Sequence, residues 1–175
     1  AAPMDEHTLR HLLYTAQAVE HGPLAIRYPR GGGEIVDWHC PMHEIPMGKG
    51  RKLKDGNGDI AVLSIGNIGT SVAKAIAIAE AQGVSVAHYD MIFLKPIDEQ
   101  ILEEVAAKYK RIVTVENGTI VGGLGSAVME WLMEHGCNQH VKRVGIPDRF
   151  IEHGKPAELY HMAGLDVESI IKAIR

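Results

Sequence analysis

Ile60-Ala61-Val62-Leu63-Ser64-Ile65-Gly66 decides the fold. Six nearly all-apolar residues closed by a glycine have the pattern of a strand buried on both faces of a parallel sheet. Working outward, Thr70 or Ser71 could cap a following helix, with Val72, Ala73, Ile76 and Ala79 at helical spacing and Gly83 as its stop. The unit then repeats. Residues 84–89 read as a second strand, and Pro96 to Tyr109 as a helix with Ile97, Ile101, Leu102, Val105 and Ala106 on one stripe. Residues 111–115 read as a third strand. Gly122-Gly123 leads into a helix carrying Leu124, Val128, Trp131 and Leu132, 141–146 is a fourth strand, and 167–174 a closing helix. Strands alternating with helices of this length predict a three-layer α/β/α sandwich with a mostly parallel sheet over residues 58–175, helices on both faces. Periodicity does not order the strands.

The residues before this unit differ. Leu9, Leu12, Leu13 and Ala16 give an amphipathic helix within 5–21, led by Asp5-Glu6 and broken by Gly22-Pro23. Leu24-Ala25-Ile26-Arg27-Tyr28 reads as a strand ended by Pro29. One helix and one short strand cannot bury a core of their own. Gly31-Gly32-Gly33 and the stretch to about residue 44 have flexible, aperiodic composition. The chain opens Ala1-Ala2-Pro3-Met4 without an initiator methionine, which leads us to expect a segment of something larger.

Composition narrows the function classes. The 175 residues carry 18 basic and 22 acidic side chains, a formal charge of -4 that gives no basic face for nucleic acid. Hydrophobic residues at 46% and charged residues at 23% are ordinary for a folded domain. No apolar run approaches the roughly 18 residues of a membrane span. Cys40 and Cys137 make no disulfide framework and read as reduced thiols of a cytoplasmic protein.

Several patterns bear on chemistry. Gly66-Asn67-Ile68-Gly69-Thr70 lacks the central glycine of a dinucleotide turn, so Asp90, at the end of the second strand, reads as a structural acid rather than a ribose partner. Glu116-Asn117-Gly118 followed by Gly122-Gly123-Leu124-Gly125-Ser126 puts polar groups at a strand's carboxyl end before a glycine-rich helix entry. Free backbone N–H groups there could cradle an anion, or the glycines could serve close packing, within the chain or between subunits. Ser126 is not in a G-x-S-x-G elbow, and no catalytic residue is assigned. Trp38-His39-Cys40-Pro41-Met42-His43 holds ligand-type side chains but too few for a zinc site, and no metal ligand is assigned. Arg27 and Arg30 flank Tyr28-Pro29, where two guanidinium forks could clamp a phosphate or pair with carboxylates of a neighbouring domain.

Five stretches in order carry a resemblance: Gly22 to Gly31, Met47-Gly48-Lys49-Gly50, Phe93 to Asp98, Val115-Glu116-Asn117-Gly118 through Ser126, and Gly145-Ile146-Pro147-Asp148-Arg149-Phe150-Ile151-Glu152-His153-Gly154. Together they resemble the C-terminal portion of the 1-deoxy-D-xylulose-5-phosphate synthases, thiamine-diphosphate enzymes of the transketolase family. The resemblance implies that residues 1–37 are the tail of a pyrimidine-binding domain, 38–57 a linker, and 58–175 a transketolase C-terminal domain. It implies a parent that condenses pyruvate with glyceraldehyde 3-phosphate, with loss of carbon dioxide, for isoprenoid, thiamine and pyridoxal synthesis. The parent would be a cytoplasmic homodimer with thiamine diphosphate and Mg²⁺, whose ligands and catalytic groups lie in the N-terminal and pyrimidine-binding domains. This chain alone would bind no cofactor, and Arg27, with Arg30 as runner-up, would hold the aldehyde's phosphate. Glu116 to Ser126 would face a neighbouring domain or subunit. One departure stands out: a single acid precedes Asn117 where many relatives carry a pair. A C-terminal domain of transketolase or of a 2-oxoacid dehydrogenase β subunit, or a free-standing module binding an anion or a partner chain, would show a similar pattern.

Overall fold

A computed structural model describes residues 1–17, 22–31, 33, 35 and 37–175. Five strands, β1 (Arg51–Lys54), β2 (Ile60–Ile65), β3 (Val86–Asp90), β4 (Arg111–Thr119) and β5 (His140–Ile146), form one sheet in the order β1-β3-β2-β4-β5. β3, β2, β4 and β5 are parallel, and β1 joins β3 antiparallel. The helices are α1 (Glu6–Thr15), α2 (Ile68–Ala81), α3 (Glu99–Lys108), α4 (Leu124–Glu134), α5 (Pro156–Ala163) and α6 (Val167–Ile174).

Alternation along the strands feeds two cores. Val62, Val113, Val115 and Val144 face α2 and α6 through Val72, Ile76, Ile170 and Ile174. Ala61, Leu63, Tyr89 and Ile112 face α3 and α4 through Leu102, Val105, Val128 and Leu132. Ala61 to Ser64 are wholly buried, as a central parallel strand covered on both faces requires. Arg111 ties the sheet to the closing helix, donating to the carbonyls of Ile174 at 3.1 Å and Ala173 at 2.6 Å. A cation on these terminal carbonyls complements the helix dipole. Arg111→Ala is therefore expected to cost about 1–2 kcal/mol, measurable as a lowered urea midpoint with an unchanged slope.

The three-layer sandwich stands, and several local expectations are corrected. The supposed linker 38–57 contains β1, an edge strand whose lysines and arginine hid its alternation. Leu24–Tyr28 forms no ladder among the described residues. There its backbone meets Ala1, which donates to the Ala25 carbonyl at 2.8 Å and accepts from Arg27 N–H at 2.9 Å. α2 begins at Ile68, ahead of Thr70 and Ser71. α3 begins at Glu99 rather than Pro96, because Asp98 caps it by accepting from the N–H groups of Gln100 and Ile101. α5 was not foreseen. The expected first helix ends at Thr15, and its tail, 18–21, lies outside the described residues.

The N-terminal segment packs on the sandwich without entering its sheet. Leu12, Ile92 and Phe93 form a third buried cluster with Leu24, Ile26, Ile45 and Met47 against it. Arg51 clasps the two parts, bonding Asp90 through Nε at 3.1 Å and Asp5 and Thr8 through Nη2 at 3.2 and 3.0 Å. Among the described residues no helix is long and apolar enough to cross a membrane.

Candidate functional site

In the sheet order, the chain runs from β2 outward to β3 on one side and from β4 outward to β5 on the other. The reversal leaves a crevice at the carboxyl ends of β2 and β4, where open α/β sheets place their ligand groups. Gly66 and Asn67 follow β2, and Asn117 lies near the end of β4. Gly66 sits at φ +81°, a conformation that favours glycine, with Ala2, the Arg27 guanidinium and the Asn117 side chain next to its Cα hydrogen.

The group covering this crevice is Arg27. Its Nη2 donates to Asn117 Oδ1 at 2.6 Å and its Nη1 to the Asn117 carbonyl at 3.3 Å. Asn117 Nδ2 in turn donates to Asn67 Oδ1 at 2.7 Å. Asn67, at the N-terminus of α2 with helical backbone angles (φ -61°, ψ -16°), makes no side-chain cap on that helix. Arg30 points elsewhere. It lines a cleft of about 570 Å³ with Tyr28, Asn67, Thr70, Pro156 and Tyr160. Among the described residues Arg30 has no hydrogen-bond or ion-pair partner. The two arginines thus stand apart, joined through Asn67, which borders both the crevice and the cleft.

The glycine-rich helix entry is filled by the chain itself. The buried Glu116 carboxylate accepts the N–H groups of Leu124 at 2.9 Å and Gly125 at 3.0 Å. A helix N-terminus is a ready anion site, and here the anion is intramolecular. Gly122 N–H goes to Ser126 Oγ at 2.9 Å, and Arg143 donates to the Ile120 carbonyl at 2.9 Å. Gly125 has no room for a side chain, since an added Cβ would meet Arg143 Cγ and Thr114 Oγ1, both at 2.7 Å. Glu116, Gly123 and Gly125 therefore act in close packing of the loop, while Asn117 alone of this stretch turns toward Arg27.

Three buried titratable groups lie along β3: His88, Tyr89 and Asp90. Asp90 is wholly buried, and burial pushes its carboxyl up to about 6 although Arg51 opposes the shift. It is committed to Arg51 and has no free face for a ribose. His88 bonds Ser64 Oγ through Nε2 at 2.8 Å, and burial pulls the imidazole down to about 4. The dyad is enclosed: Ser64 is 0% and His88 2% exposed, so it offers no substrate an approach. In the Trp38–His43 stretch, Cys40 Sγ lies 3.8 Å from His11 Nε2, and the His11 and His43 rings are 3.6 Å apart. Among the described residues no three His, Cys, Asp or Glu side chains come together as metal ligands.

The sequence singles out Arg27, Arg30 and Asn117 separately, and Asp5 at the head of the first helix, where it is the N-cap; it does not single out Asn67 or Arg51. The available signal for Asn67 was its place immediately after a buried parallel strand. Nothing in the spacing signalled the Arg51 clasp.

A parallel α/β domain with its strand order reversing between β2 and β4, and that crevice closed by an arginine from the preceding segment, defines the class. Residues 48–170 match the family described as Transketolase, C-terminal domain, and the chain belongs to that family. It is 57% identical over 175 residues to the 1-deoxy-D-xylulose-5-phosphate synthase of Bacteroides fragilis, covering 99% of this chain and 27% of the relative. It is 56% identical to that of Parabacteroides distasonis, covering 100% of this chain and 28% of the relative. The chain thus spans little more than a quarter of the curated relatives it matches. A solved split-gene transketolase, described as an inactive β4 tetramer, superposes with a TM-score of 0.87 at 33% identity, over 99% of this chain and 55% of the other. A transketolase mutant from Pichia stipitis shares the fold over 71% of this chain and 17% of its own, at 19% identity and a TM-score of 0.53.

Proposed function

We propose that this chain serves as the C-terminal portion of a 1-deoxy-D-xylulose-5-phosphate synthase, a cytoplasmic homodimer that joins pyruvate to glyceraldehyde 3-phosphate. In that reaction pyruvate loses its carboxylate as carbon dioxide, and its remaining two carbons bond to the aldehyde carbon, with uptake of one proton. The product would supply isoprenoid, thiamine and pyridoxal synthesis. On this reading residues 1–37 belong to a pyrimidine-binding domain, and the sandwich that follows is the C-terminal domain. The observation that carries the proposal is Arg27 lying over the crevice between β2 and β4, in a chain similar to these synthases along its whole length.

The role of this chain's own residues is to hold the acceptor. A phosphate dianion suits the planar fork of Arg27, with Arg30 available from the adjoining cleft. Thiamine diphosphate with Mg²⁺ supplies the electron sink of such enzymes. The described residues do not fit that group: the one glycine-rich helix entry able to receive a diphosphate holds Glu116, and no three metal-ligand side chains converge. The reading therefore assigns the cofactor to the parts of the relatives that this chain does not span, and assigns no catalysis to the chain by itself.

The coding sequence upstream of Ala1 tests this. We expect an open frame continuing for several hundred residues, with a Gly-Asp-Gly motif followed by an asparagine and later a glutamate in the pyrimidine-binding domain. A stop codon and a ribosome-binding site directly before this segment would contradict it. That outcome would favour a separate subunit, a reading supported by the likeness to the split-gene transketolase.

A further inference from the structure

We propose that Asn117, oriented by Asn67, is the positioning residue for Arg27, so that the C-terminal domain sets the arm that grips the acceptor's phosphate. This rests on the reading of the chain as part of a synthase that condenses pyruvate with glyceraldehyde 3-phosphate.

Arg27 needs an external hold. It lies in a stretch without helix or strand, its backbone N–H donates to the Ala1 carbonyl, and its side chain is exposed. A long arginine side chain so placed samples many rotamers, and a clamp is only as good as its orientation. Asn117 supplies the orientation through two acceptors on one residue, Oδ1 at 2.6 Å and the carbonyl at 3.3 Å. The guanidinium has five N–H donors; two go to Asn117, and among the described residues the others have no hydrogen-bond partner.

The partner's chemistry matters as much as its place. Asn117 is neutral, so it fixes the guanidinium without cancelling the charge that a phosphate would seek. The neighbouring acid, Glu116, is turned away and engaged with the N–H groups of Leu124 and Gly125. Arg27 offers only donors, so Asn117 Oδ1 faces it and Nδ2 faces Asn67, whose Oδ1 accepts at 2.7 Å. This second bond anchors the Asn117 amide from its other side. Asn67 makes no side-chain cap on its own helix. The two asparagines stand at the ends of β2 and β4, on either side of the point where the strand order reverses. The crevice that holds a ligand in other open α/β sheets here holds an arginine.

The test uses the full polypeptide that carries this segment, with thiamine diphosphate and Mg²⁺, pyruvate, and either glyceraldehyde 3-phosphate or D-glyceraldehyde as acceptor. For Asn117→Ala we expect KM for the phosphorylated aldehyde to rise about 10-fold, the scale of a lost charge-assisted contact, with kcat within about twofold. KM for D-glyceraldehyde should not move, since it has no phosphate to hold. Asn67→Ala should shift KM the same way by a smaller factor, about threefold. It serves as the second variant should Asn117→Ala fold poorly. An unchanged KM for glyceraldehyde 3-phosphate, or an equal rise for both aldehydes, would overturn the positioning role while leaving the synthase reading intact. Failure of the unsubstituted polypeptide to condense pyruvate with either aldehyde would overturn the synthase reading, and this role with it.

Discussion

Gly123→Ala is expected to destabilise the protein by about 3–5 kcal/mol, the combined scale of overpacking and of buried hydrogen bonds lost. The conformation of Gly123 is not the reason, since its backbone is extended at φ -93°. The reason is space: an added methyl would fall on Glu116 Oε2 and on the Thr119 carbonyl oxygen. Neither can step aside cheaply. Thr119 O is backbone, and Glu116 is held by the N–H groups of Leu124 and Gly125. To admit the methyl, the carboxylate must leave the helix terminus, stranding two buried donors. Glu116→Ala should therefore approach the same cost without any clash. Gly122→Ala is the control: its φ is +75° but nothing lies within 4 Å of the added carbon, so it should cost only about 1 kcal/mol of backbone strain. Urea unfolding of the three variants checks the ranking.

Arg51→Ala is expected to cost about 2–4 kcal/mol near neutral pH, because it leaves the buried Asp90 carboxylate without its counter-ion. The clasp between the N-terminal segment and the sandwich goes with it, through Asp5 and Thr8. Acid should relieve the defect. The unfolded-state value for the Asp90 carboxyl is 3.8 and the folded value about 6. Between them the native protein binds the extra proton, so this group makes stability rise as pH falls. His88 acts in the opposite direction, falling from 6.5 to about 4 on folding. Over that range the unfolded chain binds the extra proton, and stability falls as pH falls. In the native protein the two nearly cancel between pH 4 and 6. Asp90→Asn should unmask His88, giving a stability that drops by about 1.4 kcal/mol per unit as pH falls through this range. Denaturant midpoints of the native protein and the two variants at stepped pH read both effects.

The parts of this fold that could be read from sequence are those where burial on two sides forces composition. Ile60–Ile65 and the stretch from Ile112 to Val115 of β4 are mostly apolar because helices cover both faces of the sheet, and that requirement is local to each segment. β1 escaped notice because Arg51-Lys52-Leu53-Lys54 is an edge strand, whose charges protect it from pairing and also erase its alternation. α5 is harder to read because it is short and none of its residues is fully buried, Tyr160 and Ala163 packing partly against the core, although Pro156 at its start and Glu158 in its first turn suit a helix. Leu24–Tyr28 has the composition of a strand, but a ladder needs a neighbouring strand, and among the described residues its backbone partner is Ala1.

At the site, residue type was legible and partnership was not. Arg27 and Asn117 were each singled out, but they are 90 positions apart, and only the strand order brings them together. The glycine-rich loop shows the converse. Its glycines read as either an anion cradle or a close-packing device, and the fold of β4 back over α4 makes the Glu116 carboxylate the ligand of the helix entry.

The most direct test of the central claim is the reaction of the full polypeptide carrying this segment, given thiamine diphosphate, Mg²⁺, pyruvate and glyceraldehyde 3-phosphate, followed by carbon dioxide release and sugar-phosphate analysis. The account predicts 1-deoxy-D-xylulose 5-phosphate in equal amount to the carbon dioxide, with no ketol transfer from xylulose 5-phosphate. Ketol transfer from xylulose 5-phosphate without condensation of pyruvate would contradict it.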